Sequence, residues 1–314
     1  MRIEIQERVP LAPYTVYKIG GPSRFFAEAR NADEMGEAFL FGRARSLNFF
    51  VLGAGSNTLI SDKGFDGFTI HVAGGGIRIE GERIEVDAGV MMARVVSEAA
   101  AAGLTGFEWG IGIPGTIGGS IRGNAGCFGG EIKDVVASVR IINIQKSDFH
   151  ILKNTECEFG YRNSIFKRHP EWVIVSATLS LKKGDPDAIR EKIRGLSAER
   201  TGKQDIGTKS CGCIFKNVSW TRRDIDREML LNRHKTLTQF EKSATIPAGF
   251  LIDECGLKGM RMGCVAVSPK HANFFVNEGG ARAEEVMAMI SLAKDAVRKK
   301  FGIILEEEIQ FVGF

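Results

Sequence analysis

GFEWGIGIPGTIGGSIRGNAGCFGGEI, Gly106 to Ile132, is the stretch on which the reading of this chain turns. Nine of the 21 residues from Gly110 to Gly130 are glycine. Gly110, Gly112 and Gly115 satisfy a G-x-G-x-x-G spacing, with Glu131 roughly 20 residues beyond, so a dinucleotide fingerprint has to be weighed. That fingerprint requires a helix after its glycines. Each glycine costs about 1 kcal/mol in a helix interior, and Pro114 sits inside the motif. The segment therefore reads as an extended glycine-lined loop, suited to close passage of a long ligand such as a dinucleotide pyrophosphate.

Upstream, RFFAEA (Arg24 to Ala29) reads as a strand, and Asn31 with Glu34 three residues later marks a helix running to about Leu47. FFVLGAG, from Phe49, is a second strand, completing a βαβ unit that ends in Gly53-Ala54-Gly55-Ser56-Asn57, a turn whose backbone N–H groups favour an anion. FTIHVA, RIEVDAG, VVASVRIINI and WVIVSATLSL alternate apolar and polar residues, which predicts a mostly antiparallel sheet interrupted by a helix over about 91–102. A charged helix after Asp185 leads into a third region from about Lys203. There the sequence predicts a short helix around PAGFLIDECGL, an amphipathic helix from Arg282 to Lys300 with Val286, Ile290, Ala293 and Val297 on one face, and a closing strand in ILEEEIQFVGF.

The chain has 314 residues, about twice a typical single domain. Its 42 basic and 38 acidic side chains give a formal charge of +4 and are scattered, which disfavours nucleic acid and suits an anionic small molecule. The start, MRIEIQERVP, lacks an apolar signal region, and no apolar run reaches the roughly 18 residues of a membrane span. The chain is read as cytoplasmic and monomeric, with its six cysteines (127, 157, 211, 213, 255 and 264) mostly reduced thiols.

YKIGGPSRFFAEA, VLGAGSNTLISDKGFDG, GIPGTIGGSIRGNAGCFGGEI, FGYRNSIFK, CIFKN, AGFLIDECGLKGMRMGCVAVSPKHANFFVN and LEEEIQFVGF occur here in the order known from one family, across nearly the whole chain. The sequence resembles the UDP-N-acetylenolpyruvoylglucosamine reductases, the flavoenzymes that make UDP-N-acetylmuramate for peptidoglycan. It looks like the short type, with no room between FGYR and CIFKN for the extra tyrosine-bearing loop. The resemblance implies an α+β fold: two subdomains (1–70 and 71–202) forming an FAD-binding module of the vanillyl-alcohol-oxidase type, and a substrate-binding domain (203–314), with the C-terminal strand returning to the first. It implies FAD and NADPH as cofactors and a UDP-sugar as substrate. Gly53, Ala54, Gly55, Ser56 and Asn57, with Gly112, Pro114, Gly115, Thr116, Gly118, Gly119, Asn124, Ala125 and Gly126, would hold the FAD.

The implied reaction passes hydride from NADPH to FAD and on to an enol ether, while an acid protonates the neighbouring carbon. It needs a cation for the substrate carboxylate, a proton donor and a support for the developing enolate. By match to the family's motifs these are Arg162, Cys213, where most members have serine, and Glu308. Ser210 is the fallback donor, and Glu306 and Glu307 compete with Glu308 for register. A thiol is a stronger acid than an alcohol, so cysteine suits the task. Lys216, Asn217, Lys258, Arg261 and His271 are the substrate-binding candidates; His271 reads equally well as a structural histidine. Val218 replaces the family's usual proline after FKN.

In an extended chain Cys211 and Cys213 lie at the distance limit for a disulfide, and Cys255 and Cys264 are not spaced as a zinc knuckle, so no metal is expected. Cys211 reads as a small packed residue. The alternatives are another FAD-linked oxidoreductase of the same superfamily, which would have no use for the trio of Arg162, Cys213 and Glu308, and a cysteine-based redox or metal sensor, which would not be yellow. No histidine lies in either glycine segment, His71 being the only nearby one, so FAD is expected to be held non-covalently. Acid precipitation of the purified protein should release all yellow colour into the supernatant; colour retained in the pellet would contradict this.

Overall fold

The computed structural model describes residues 3–205 and 207–314; the first two residues of MRIEIQERVP and Ile206 lie outside it. It separates into two compact units. One holds the chain up to Pro10, Pro22–Gly55 and Phe65–Gly202; the other holds Leu11–Gly21, Ser56–Gly64 and Lys203–Phe314.

The first unit contains two larger sheets, beside two of only two short strands each. In the four-stranded sheet, Gln6–Pro10 pairs antiparallel with Pro22–Ala29, which is parallel to Phe65–Val72, itself parallel to Phe49–Leu52. The helix Ala32–Arg43 crosses between two of these strands, capped by Asn31, whose side chain accepts from the Glu34 amide at 2.9 Å. It stops at Arg43, four residues short of the expected end, because the chain there turns through a left-handed Ser46. The five-stranded sheet is antiparallel throughout, in the order Asp148–Lys153, Val136–Asn143, Trp172–Ser180, Arg83–Asp87 and Ile77–Glu80.

FTIHVA does not belong to that antiparallel sheet. Its strand, Phe65–Val72, sits inside the parallel part of the first sheet, flanked on both sides and largely buried. The glycine-rich segment also departs from the extended loop expected of it, because Ile117–Gly123 is helical. Thr116 caps this helix by accepting from the Gly119 amide, and a Cβ on Gly118 would lie 2.9 Å from the Ala88 Cβ. The local cost of glycine in a helix is thus outweighed by a close approach that no larger residue allows.

In the second unit Phe275–Asn277, Val265–Val267 and Arg261–Met262 form a small antiparallel sheet, and the short helix Ala248–Glu254 lies where PAGFLIDECGL predicted. The long helix Ala283–Phe301 buries Val286, Ile290, Ala293 and Val297, the expected face. The two early segments join this unit through specific bonds. Gln310–Val312 runs parallel to Thr58–Ile60, Asp62 accepts from the Ala283 and Glu284 amides at the helix start, and Asn277 donates to the Tyr17 carbonyl at 2.9 Å.

Ahead of the glycine-rich segment, Glu108 is only 2 % exposed. Its carboxylate accepts from the Thr105 hydroxyl, the Gly106 amide and Lys192 of the Pro186–Lys203 helix. Burial opposes its charge, yet the hydrogen bonds from Thr105, from its own backbone, from Lys192 and from Gly106 together hold its pKa below the ordinary carboxylate value. A depressed folded-state pKa stabilises the fold above the unfolded pKa, and this contribution is lost as pH falls through the folded value. Glu108→Gln should therefore cost about 1–3 kcal/mol in urea unfolding at pH 7, and the deficit should shrink below pH ~4. A deficit that is the same at both pH values would show that the charge is irrelevant.

Candidate functional site

The strand Phe49–Leu52 runs directly into Gly53-Ala54-Gly55, where Gly55 adopts a left-handed φ of 60°. This turn meets the second glycine segment within the first unit, since a Cβ on Gly53 would lie 2.6 Å from the Thr116 hydroxyl oxygen. Gly112 and Gly115 take φ values of 73° and 140°, and Gly112, Pro114 and Gly119 are exposed. No atom comes within 4 Å of a Cβ built on Gly123, and only the Thr116 hydroxyl comes that near one on Gly119, at 3.5 Å. Backbone open in this way on two adjoining turns fits the pyrophosphate of a dinucleotide. Ser56 and Asn57 continue the first turn into the second unit.

Two basic residues that the sequence reading passed over lie along this segment. Arg122, half-buried near the end of the short helix, has its pKa lowered by burial. Arg200, 5 % exposed, sits on the helix read as a plain connector; it donates to the Gly112 carbonyl at 3.4 Å and lies over the Phe128 ring. Nothing in the local sequence separates either from an ordinary surface arginine.

Arg162 occupies a tight turn in the first unit, where Gly160 and Asn163 exchange backbone bonds of 2.9 and 3.1 Å. Its φ is 53°, and its guanidinium donates to the Gly126 carbonyl at 3.0 Å. Ala125 donates its amide to the Ser120 carbonyl. The side chain of Asn124 bonds wholly within the protein and presents nothing to a ligand.

The second unit assembles Cys213 and Glu308. Cys213 is bridged to Phe274, and Gly212 before it has a φ of 76°, so the chain is bent here and not the extended strand assumed for Cys211 and Cys213. Asn273, 1 % exposed, holds the next residues: its amide accepts from the Phe215 N–H at 2.9 Å and donates to the Phe215 carbonyl at 2.8 Å. The Glu308 amide donates to the Ile214 carbonyl at 2.7 Å, and Asn57 donates to the Glu308 carbonyl at 3.2 Å.

Neighbouring acids are committed elsewhere. Glu306 pairs with Lys216 and Arg222, and Glu307 with Lys294 at 2.7 Å. The Glu308 charge instead acts on Cys211, whose thiol pKa is pushed far up by burial first and then by Cys213 and Glu308. Ser210 is buried, 6 % exposed, next to Thr208.

Of the substrate candidates, Asn217 accepts from the Ala248 amide at 3.2 Å, and the Val218 that follows it pairs with Ile246. Lys258 pairs with Asp253 at 2.6 Å and adds to burial in lowering the pKa of His271, whose ring lies edge-on to Phe274. Lys258, His271 and Phe274 thus lead to Cys213. Arg261 is exposed and paired with Glu278, and among the described contacts none joins it to this group. Among the described residues no group of three His, Cys, Asp or Glu could hold a metal, and none of the six cysteines forms a disulfide.

Residues 204–312 match the C-terminal domain of UDP-N-acetylenolpyruvoylglucosamine reductase, and residues 23–149 match an FAD binding domain. A UDP-N-acetylenolpyruvoylglucosamine reductase of Solibacter usitatus is 34% identical over 311 residues, covering 99% of this chain and 97% of that one. The chain belongs to the UDP-N-acetylenolpyruvoylglucosamine reductase family. A Synechococcus relative of the same description is 35% identical, covering 98% of this chain and 91% of its own. The crystal structure of the Thermus caldophilus reductase superposes with a TM-score of 0.76 at 31% identity, covering 99% of both chains. The family's α+β fold, an FAD-binding domain followed by a C-terminal domain, is the fold of this chain. Among the described residues no helix is long and apolar enough to cross a membrane.

Proposed function

We propose that this chain reduces UDP-N-acetylglucosamine enolpyruvate to UDP-N-acetylmuramate at the expense of NADPH, as a UDP-N-acetylmuramate dehydrogenase of peptidoglycan precursor synthesis. Bound FAD supplies the hydride relay between the nicotinamide and the enolpyruvyl group. The observation that carries the assignment of roles is the bond from the Glu308 amide to the Ile214 carbonyl, which fixes Glu308 beside Cys213 on paired backbone.

In this reading Arg162 binds the substrate carboxylate through its planar fork and polarises the enol ether. Cys213 gives its thiol proton to the carbon next to the one that accepts hydride, and Glu308 supports the developing enolate. Lys258 and His271 serve the UDP-sugar from the Phe274 side, Lys216 and Asn217 from the strand after Cys213, and Arg261 from farther out. Gly53 to Asn57 and the Gly112 to Gly126 segment serve the FAD, with the Asn124 side chain turned into the protein. The separate four- and five-stranded sheets support a division of the cofactor module near residue 70, with 11–21 and 56–64 serving the domain from 203 onward. A nucleotide-sugar substrate and NADPH support a cytoplasmic place of action, and the chain is proposed to act as a monomer.

Arg162→Lys keeps the charge but loses the fork, so reoxidation of reduced enzyme by the enolpyruvyl substrate should be severely slowed while NADPH still bleaches the flavin normally. Near-normal turnover would remove Arg162 from the carboxylate role. For Cys213, serine should retain substantial activity and alanine should lose ~10² to 10⁴-fold in the reoxidation step alone. Cys211→Ala should behave like the parent. Reoxidation by Cys213→Ala at the parent rate would make the thiol a bystander.

A further inference from the structure

Asn124 ends the Ile117–Gly123 helix in the left-handed region, with φ 43° and ψ 58°, and is 0% exposed. Its Nδ2 donates to the Gly160 carbonyl at 2.9 Å and to the Glu131 carboxylate at 3.1 Å, and its Oδ1 accepts from the Lys133 amide at 3.1 Å. One side chain therefore joins the glycine-rich segment, the Glu131 turn behind it and the Gly160–Asn163 turn that carries Arg162. A second bond runs alongside, from the Ser164 hydroxyl to the Arg122 carbonyl at 2.7 Å.

The Arg162 turn needs such support. A left-handed non-glycine residue costs about 1–2 kcal/mol and persists only where its surroundings over-determine it. Lys167 donates to the Arg162 carbonyl at 2.7 Å, and Arg162 itself reaches the Gly126 carbonyl two residues past Asn124. The backbone of the turn and the guanidinium it carries are thus both referred to the glycine segment.

We infer that Asn124 is a positioning residue of the reaction: it sets the Arg162 guanidinium relative to the segment that takes the cofactor, and it does not touch the cofactor itself. The sequence reading placed Asn124 among the cofactor contacts; its fully committed amide gives it this other task. The inference rests on reading Arg162 as the partner of the substrate carboxylate.

Two variants of the FAD-loaded enzyme test it, beside Arg162→Lys. Asn124→Gly removes the side chain while suiting the left-handed backbone, so the helix end is not strained. Asn124→Asp keeps the shape but turns a carboxylate toward the Gly160 carbonyl and the Glu131 carboxylate. Flavin content, the rate of flavin reduction by NADPH, the rate of reoxidation by the enolpyruvyl substrate, and amide hydrogen exchange across residues 160–164 are measured on each.

Both variants should keep FAD and its reduction by NADPH, exchange the Asn163 amide about tenfold faster or more, and reoxidise roughly 10- to 100-fold more slowly, as a misplacement near 1 Å predicts. Reoxidation within twofold of the parent, with Arg162→Lys slow, would overturn the inference and leave the Arg162 role standing. Equal slowing of both half-reactions, or loss of flavin, would overturn it in favour of a general structural or cofactor role. Fast reoxidation by Arg162→Lys would instead remove the reading on which the inference rests.

Discussion

The missing Cβ at Gly53 is the constraint on which the cofactor half depends. Any side chain there would drive its first carbon to 2.6 Å from the Thr116 hydroxyl, the oxygen that caps the short helix. One oxygen thus fixes the start of that helix and bounds the turn after the Phe49–Leu52 strand. The same logic repeats at Gly130, where a Cβ would meet the Trp109 ring at 2.3 Å. The glycines are packing residues first, and the open backbone they leave between such contacts is held still before any ligand arrives. Preorganisation of this kind lowers the entropy cost of binding a flexible dinucleotide.

In the second unit the candidate residues Cys213 and Glu308 sit on paired backbone and not on free loops. Asn273 acts as an extra strand for Phe215, satisfying both its N–H and its C=O where water does not reach. Leaving those groups unpaired would cost about 1–3 kcal/mol each. Glu308 is then tied to Ile214 on one side and to Asn57 on the other, while Glu307 faces Phe215 across an antiparallel bridge. Successive residues on such a segment point to opposite faces, which turns Glu307, paired with Lys294, away from Glu306 and Glu308.

Most elements were legible in the sequence because each buries one face with its own period. The Ala283–Phe301 helix and the strands of the antiparallel sheet are of this kind. FTIHVA was misplaced because alternation reports a half-buried strand but not which sheet takes it. Its partners, Pro22–Ala29 and Phe49–Leu52, are chosen by the crossover of the intervening helix. The helix inside the glycine segment was hidden because propensity argues against it, and the compensating contact with Ala88 is long-range. The attachment of 11–21 and 56–64 to the C-terminal unit rests on long-range contacts, the Thr58–Ile60 pairing with Gln310–Val312, the amides that donate to Asp62 and the Asn277 bond to Tyr17, which leave no local pattern to read. The candidate site was legible as a set of motifs, but the Asn273 amide that pairs with Phe215, and the internal bonds of Asn124, were not; a buried asparagine and an exposed one look alike in sequence.

Lys209 to Asn217 posed a choice between metal clip, disulfide and acid, and the surroundings of Cys211 bear on all three. Metal ligation and thiol–disulfide exchange both begin from a thiolate. Cys211 is 2 % exposed, and burial first, with the nearby Glu308 charge adding to it, holds its proton on. A residue that resists ionisation this strongly is a poor ligand and a poor nucleophile. Cys213, by contrast, is partly accessible and precedes the backbone that Asn273 and Glu308 hold, so the two thiols of the stretch have different surroundings.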